Sequence, residues 1–326
     1  MKLAFVGSSH WHLPLYLEPA LDVPGATVVG MSDPDPAVAK KHAEQLDCYG
    51  SPDFREMIEK TKPDFVFALG RHSDMPDESR YLIEKRIPFA VEKPCGVTLA
   101  EVTELAKLAK SAGAFAAVPL VFRNGDFYTL LKDLKTDEGY QYMNYRFIAG
   151  FASRYILSGC DWMLNPKFSG GGCCINLSPH FFDLALLLLG RDVKVTQSVM
   201  ANNAWGHPVE DYSAVLLESK GRMCLTETGY LYPAPTSTFD LHFAVRSPEH
   251  YIVAHDHQTV EIIDKSGKRE MRNILTTNVP NYRRFVFDVL ERAKAGKEPL
   301  ADLDDMVPIM KIVEDAYALG RPMKVI

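Results

Sequence analysis

The sequence predicts an α/β N-terminal domain with a doubly wound parallel sheet, followed by an α+β C-terminal domain with a large, mostly antiparallel open sheet. Three observations predict it. Short apolar strands alternate with amphipathic helices up to about Val118. After Val121, strand-like runs follow one another with few helices between them. The length, 326 residues, is long for one core and comfortable for two. The boundary is expected at residue 120, giving domains 1–120 and 121–326, with the C-terminal segment free to pack back on the first domain.

In the first domain, Lys2–Val6 reads as a strand and Leu13–Leu21 as a helix. Thr27–Met31 is the next strand, and Pro36–Leu46 has helical spacing with proline at its start. Asp64–Leu69, Pro88–Val91 and Ala114–Val118 supply further strands, separated by helical stretches at Asp53–Lys60, Asp77–Lys85 and Leu99–Ser111. In the second domain, strands are expected at Tyr142–Ile148, Val195–Met200, Ser213–Glu218, Met223–Thr228, Phe239–Val245 and Tyr251–Ala254. Ser219–Arg222 and Asp264–Gly267 are the tight turns that suit antiparallel pairing. Helices are expected near Phe127–Leu134, Phe181–Leu189, Tyr282–Ala295 and Leu303–Leu319, with a short closing strand at Met323–Ile326.

Composition narrows the function. A hydrophobic share of 47%, a charged share of 24% and a net charge of −6 describe an ordinary globular protein without the basic runs that nucleic acid requires. The six cysteines contain no C-x-x-C pair, and the adjacent Cys173 and Cys174 suit neither a disulfide nor paired zinc ligation, so free thiols in a reducing cytoplasm are expected. The longest apolar run, around Leu184–Leu189, is too short to span a bilayer, so no membrane association is expected.

Two segments carry chemistry. The turn Gly7-Ser8-Ser9-His10-Trp11-His12 joins the first strand to the first helix, where glycines and helix N–H groups hold a dinucleotide pyrophosphate. Only the first of the three usual glycines is present, so by itself the turn is as well explained by an ordinary strand-to-helix connection. Asp33, closing the second strand, lies where a carboxylate accepts hydrogen bonds from ribose hydroxyls and repels a 2′-phosphate, which favours NAD over NADP. The second segment is Glu92-Lys93-Pro94, at the carboxyl edge of the parallel sheet, the edge where such sheets bind ligands. There Lys93 can hydrogen-bond a substrate hydroxyl or the oxyanion it becomes, and burial would lower its pKa. His10 and His12 have a spacing compatible with metal but no companion carboxylate or cysteine cluster, and no metal is expected.

Taken together, the strand-borne Glu92-Lys93-Pro94, the run Gly170-Gly-Gly172 leading to Asn176-Leu-Ser-Pro-His180 and Asp183, and Trp162 before Asn165-Pro166 resemble the Gfo/Idh/MocA oxidoreductases, the glucose–fructose oxidoreductase and inositol dehydrogenase type. The resemblance runs nearly end to end and implies an N-terminal Rossmann domain, an NAD or NADP cofactor, and hydride transfer to or from a secondary alcohol of a sugar, polyol or inositol. It implies Lys93, His180 and Asn176 as catalytic residues, His180 being the acid/base. It implies Gly7, Ser8, Ser9, His10, Trp11, Asp33, Arg71, His72, Glu92 and Lys93 as the cofactor side. Lys93, Arg123, Trp162, Asn176 and His180 fall to the substrate side, with Tyr155, Tyr232 and His242 as further candidates for a sugar site. Family members more often carry aspartate where Asn176 stands, which leaves substrate and direction open. A lyase or glycosidase using tightly bound NAD transiently and a non-enzymatic dinucleotide-binding regulator are the competing readings. A homodimer or homotetramer is expected, because a sheet with one face bare of helices exposes apolar surface.

Overall fold

The computed structural model describes residues 1–233 and 239–320 in full, and the backbone of Pro322–Met323. The N-terminal unit runs β1 (Lys2–Val6), α1 (Leu13–Leu21), β2 (Thr27–Ser32), α2 (Pro36–Leu46), β3 (Tyr49–Ser51), α3 (Phe54–Thr61), β4 (Phe65–Ala68), α4 (Met75–Glu84), β5 (Phe89–Val91), α5 (Leu99–Ala112) and β6 (Ala116–Ala117). All strands pair parallel in the order β3-β2-β1-β4-β5-β6. This is the Rossmann arrangement, with its topological switch between β1 and β4. Leu3, Ala4, Phe5, Phe65, Val66 and Phe67 are fully buried, as unbroken apolar strands covered on both faces must be. Local signals place the helices: Asp35 caps α2 through Ala37 N–H, Asp53 caps α3 through Arg55 N–H, and Thr98 with Glu101 forms a capping box on α5.

The remainder comprises α6 (Asp126–Asp133), β7 (Tyr142–Gly150), α7 (Ser153–Leu157), α8 (Pro166–Ser169), α9 (Cys173–Leu177), α10 (Pro179–Leu189), β8 (Lys194–Ala201), β9 (Tyr212–Ser219), β10 (Arg222–Tyr232), β11 (Asp240–Arg246), β12 (His250–Ala254), β13 (Thr259–Asp264), β14 (Arg269–Asn273), α11 (Val279–Ala295), α12 (Leu303–Leu319) and β15 (Pro322–Met323). Its nine-stranded sheet has the order β14-β13-β12-β11-β7-β10-β9-β8-β15. The pairs β7–β10 and β8–β15 are parallel and the others antiparallel. Burial alternates along β7 and β9, so one face packs on α9 and α10 while the other stays half exposed. The α10 helix is apolar nearly all round, and ten of its eleven residues are buried beneath the sheet.

The chain returns to the first domain at its end. Tyr282 and Phe285 of α11 pack edge-on against Tyr16 of α1, and Ala301–Asp302 bridges to Ala117–Val118 beside β6. Strands β3, β13 and β14 were not expected from the sequence. The first is only three residues long, and β14, Arg-Glu-Met-Arg-Asn, lacks apolar alternation and is held by its pairing with β13. The expected strand at Ala114–Val118 shrinks to Ala116–Ala117, and of the closing strand Met323–Ile326 only Met323 falls within the described residues.

Candidate functional site

At the carboxyl edge of the parallel sheet, β5 leads into Glu92 and Lys93, and Lys93 lines a cavity of about 400 Å³ between the two domains. Lys93 is 3% exposed, and its Nζ donates to the Asn176 carbonyl at 2.6 Å and to Asn176 Oδ1 at 2.8 Å. Asn176 Nδ2 in turn donates to the hydroxyls of Tyr155 at 2.8 Å and Tyr230 at 2.9 Å. Burial lowers the Lys93 pKa, and the nearby Glu92 carboxylate opposes that shift. His180, at the start of α10, lines the same cavity, and its Nδ1 is buried without a hydrogen-bond partner. Burial, reinforced by the charge of Lys93, lowers its pKa to about 3, so the imidazole is neutral around pH 7.

Behind Lys93, Glu92 Oε1 binds His12 Nδ1 at 2.6 Å and accepts from Tyr16 OH at 2.7 Å, while Oε2 has no partner. Burial would raise the Glu92 carboxyl, but His12 and the charge of Lys93 outweigh it and hold the group ionised. The position that a third glycine would fill is thus occupied by a histidine that anchors the acidic member of the Glu92-Lys93-Pro94 segment.

The glycines have packing reasons. Gly7 has φ +75°, and a Cβ there would sit 2.5 Å from the Leu69 carbonyl carbon. In the downstream run, a Cβ on Gly171 would meet Tyr317 OH at 2.0 Å, and one on Gly172 would meet the Glu210 carbonyl oxygen at 2.0 Å. Glu210 accepts from Gly172 N–H, Cys174 N–H and Tyr317 OH, which fixes the start of α9 and so the place of Asn176.

On the cofactor side, Asp33 sits buried at the end of β2 and accepts from Ser9 N–H at 2.6 Å and Asp35 N–H at 3.0 Å. Ser8 is buried and its hydroxyl has no partner. His10, Trp162 and His72 pack in a row, with ring centroids 5.9 Å and 5.2 Å apart, and His72 Nδ1 lies 2.7 Å from the Ser169 carbonyl. Trp11 stacks on Tyr155 at 4.1 Å. Arg71 is ion-paired with Asp74 at 2.6 Å and lies over Phe168.

The residues at this edge fit a nicotinamide dinucleotide. Asp33 retains lone pairs for ribose hydroxyls. The orphaned Ser8 hydroxyl lies on the turn that would meet the phosphates, and the orphaned Glu92 oxygen lies beside Lys93.

Lys93, Asn176 and His180 come together around one cavity, while Arg123 does not join them. Arg123 Nη2 pairs with Asp183 at 2.6 Å, and Nη1 pairs with Asp305 at 2.8 Å and donates to the Leu300 carbonyl. The expected substrate contact is therefore corrected to an internal tie between the turn at Val121–Asn124, α10 and α12, because a half-buried guanidinium takes the buried carboxylates within reach. Trp162 packs with His10 and His72 and does not line the cavity, and neither do Tyr232 and His242. Sequence reasoning missed Tyr230 and Arg154. Neither lies in a motif; Tyr230 reaches Asn176 from 54 residues downstream on β10.

The fold and site define an NAD-binding oxidoreductase. Residues 1–119 match the oxidoreductase family with an NAD-binding Rossmann fold, and residues 144–247 match the GFO/IDH/MocA C-terminal domain. The chain belongs to the Gfo/Idh/MocA family of oxidoreductases. No curated protein sequence matches it. Among solved structures, it is similar to an oxidoreductase from Agrobacterium radiobacter in complex with NAD+, L-tartaric acid and magnesium, with 18% identity, 98% of this chain and 95% of that chain covered, and a TM-score of 0.83. It is also similar to the 3-ketoreductase KijD10 from Actinomadura kijaniata in complex with NADP and TDP-benzene, with 14% identity, 99% and 98% covered, and a TM-score of 0.81. A third is the UDP-N-acetylglucosamine 3-dehydrogenase GnnA from Acidithiobacillus ferrooxidans, with 14% identity, 98% and 97% covered, and a TM-score of 0.78. At these identities the likeness is one of fold.

Proposed function

We propose that this enzyme transfers hydride between NAD and a secondary alcohol of a sugar, polyol, inositol or related hydroxylated molecule. The observation that carries the reading is the convergence of buried Lys93 and His180 on one cavity, with Lys93 fixed by two bonds to Asn176. The cofactor, when bound, supplies the hydride acceptor or donor. Lys93, as ammonium, donates to the substrate oxygen and stabilises negative charge as the alcohol becomes a carbonyl. The neutral His180 imidazole accepts the hydroxyl proton in oxidation and returns it in reduction. Asn176 carries no proton; it aims Lys93 and is itself aimed by Tyr155 and Tyr230. Ser8, Ser9, His10 and Trp11 would face the phosphates, with Arg71 and His72 toward the nicotinamide side. The carboxylate of Asp33 favours NAD over NADP. The 3-ketoreductase and the 3-dehydrogenase named above support a hydroxylated substrate.

The test is a screen of sugars, polyols and their acids with NAD and NADP, read by absorbance of the reduced cofactor. Turnover is expected with NAD, and Lys93→Ala is expected to lose at least about a hundredfold in kcat with cofactor affinity largely retained. Undiminished turnover in that variant removes Lys93 from the mechanism. We further propose a homodimer or homotetramer formed through the open sheet face. The six free cysteines favour a cytoplasmic setting, and no single helix among the described residues is long and apolar enough to cross a membrane.

A further inference from the structure

Among the described residues, the cavity is lined by two cations, Lys93 and Arg154, and by no carboxylate. Glu92 lies behind Lys93 and is engaged with His12 and Tyr16. Lys93 has an assigned task, whereas Arg154 has none. Among the described residues, Arg154 forms no ion pair; its Nη2 donates to Tyr155 OH at 2.9 Å, and its Nε is buried without a partner. Arg123, by contrast, pairs with two carboxylates.

The guanidinium is also held in place. Its central carbon lies 5.8 Å from the ring centre of Trp11, 4.9 Å from Tyr155 and 5.4 Å from Tyr230. Aromatic faces attract a cation and fix its plane without neutralising it. One chain of hydrogen bonds then links the two cations. Arg154 donates to Tyr155 OH at 2.9 Å, Asn176 Nδ2 donates to the same oxygen at 2.8 Å, and Asn176 Oδ1 accepts from Lys93 at 2.8 Å. The spacing between the unpaired guanidinium and the group that meets the reacting hydroxyl is therefore set by the fold.

We infer that the substrate is a hydroxy acid of sugar size, whose carboxylate is taken by Arg154 while its secondary alcohol sits at Lys93 and His180. This rests on the hydride-transfer reading above. A planar guanidinium without a carboxylate partner can give a carboxylate two parallel hydrogen bonds. A phosphate dianion would call for more positive charge than one arginine supplies. The aromatic and aliphatic lining, including Phe122, Phe147 and Phe239, suits the carbon skeleton of one small molecule.

The experiment measures binding by isothermal titration to the holoenzyme with NADH, using matched pairs that differ only in a terminal carboxylate: D-gluconate against D-glucitol, D-galactonate against galactitol, and L-threonate against L-threitol, with D-glucose 6-phosphate as the phosphate arm. At least one acid is expected to bind at least about tenfold more tightly than its polyol, the size of a lost charge-assisted pair. Arg154→Met is expected to remove that preference and leave polyol affinity within about threefold, and Arg154→Lys to restore part of it. In turnover of the acid, the loss should fall on KM more than on kcat. Equal binding within every pair, preference for the phosphate alone, or no binding of any acid overturns the inference, whatever the variants do. The two readings separate cleanly: reduction of NAD by polyols without acid preference defeats the inference alone, while acid binding through Arg154 without any NAD reduction defeats the hydride reading alone.

Discussion

At Lys93, the residue scale turns on what stands beside the ammonium. The partner is an amide, so burial lowers the ammonium's pKa against the opposing charge of Glu92, itself engaged with His12 and Tyr16, and a smaller opposing contribution from Cys95. The sign of the pH dependence follows. Lys93 must be charged to stabilise the developing oxyanion, so kcat/KM for alcohol oxidation falls as pH rises through its lowered pKa, at a pH below 10.5. His180, with its pKa near 3, is already neutral over the assay range and adds no limb near the ordinary imidazole value of about 6.5. Asn176→Asp places a carboxylate on the ammonium and is expected to move the alkaline limb upward by roughly 1–3 pH units, measured as a kcat/KM profile with the same substrate. An ascending limb near 6.5 in the unaltered enzyme would show that His180 titrates normally, against its burial. Asn176 was legible from its spacing to His180. Its bond to Lys93 was not, because 83 residues separate the two in sequence.

Among the elements, α9 and α10 decide where the acid/base groups stand, and their position depends on close approach. Gly171 and Gly172 let Tyr317 and Glu210 come within a distance no side chain tolerates, so the glycine run serves packing. Arg123 belongs to the same framework. It joins the turn after β6 to Asp183 of α10 and Asp305 of α12, with Asp183 only 2% exposed. Removing the guanidinium strands a buried carboxylate, and Arg123→Met is expected to destabilise the protein by about 3–5 kcal/mol, read from urea denaturation. The KM of the folded fraction should be unchanged; a large rise in KM with stability intact would return Arg123 to the substrate site. Its reach to α12 cannot be read locally, since Asp305 lies 182 residues away.

In the whole molecule, the open sheet leaves one face without a helical cover among the described residues. The strand registers align Met223, Tyr142, Arg246 and Tyr251 in one row across that face, and Val199 and Met271 point the same way. Met223 is 47% exposed, Val199 51% and Met271 58%, a concentration of large apolar side chains that a subunit contact would cover. Light scattering on the purified protein is expected to give a dimer or tetramer mass, and Met223→Asp to shift it toward monomer with the circular dichroism spectrum unchanged. A monomer in the unaltered protein would rule the contact out.

By itself the sequence determined what depends on local periodicity and short-range chemistry. Apolar runs such as Leu3–Val6 and Phe65–Leu69 dictated buried parallel strands, capping residues such as Asp35 and Thr98 set helix starts, and Glu92-Lys93-Pro94 with Asn176 and His180 marked the reactive edge. Tertiary structure alone decided which of the marked residues meet. It brought Asn176 onto Lys93, drew Arg123 away to Asp183 and Asp305, occupied the missing glycine position with a His12–Glu92 pair, and left Arg154 facing the cavity without a counter-ion. The physical reason is that a charged or polar side chain takes the best partner that packing brings within about 3 Å, whatever its distance along the chain.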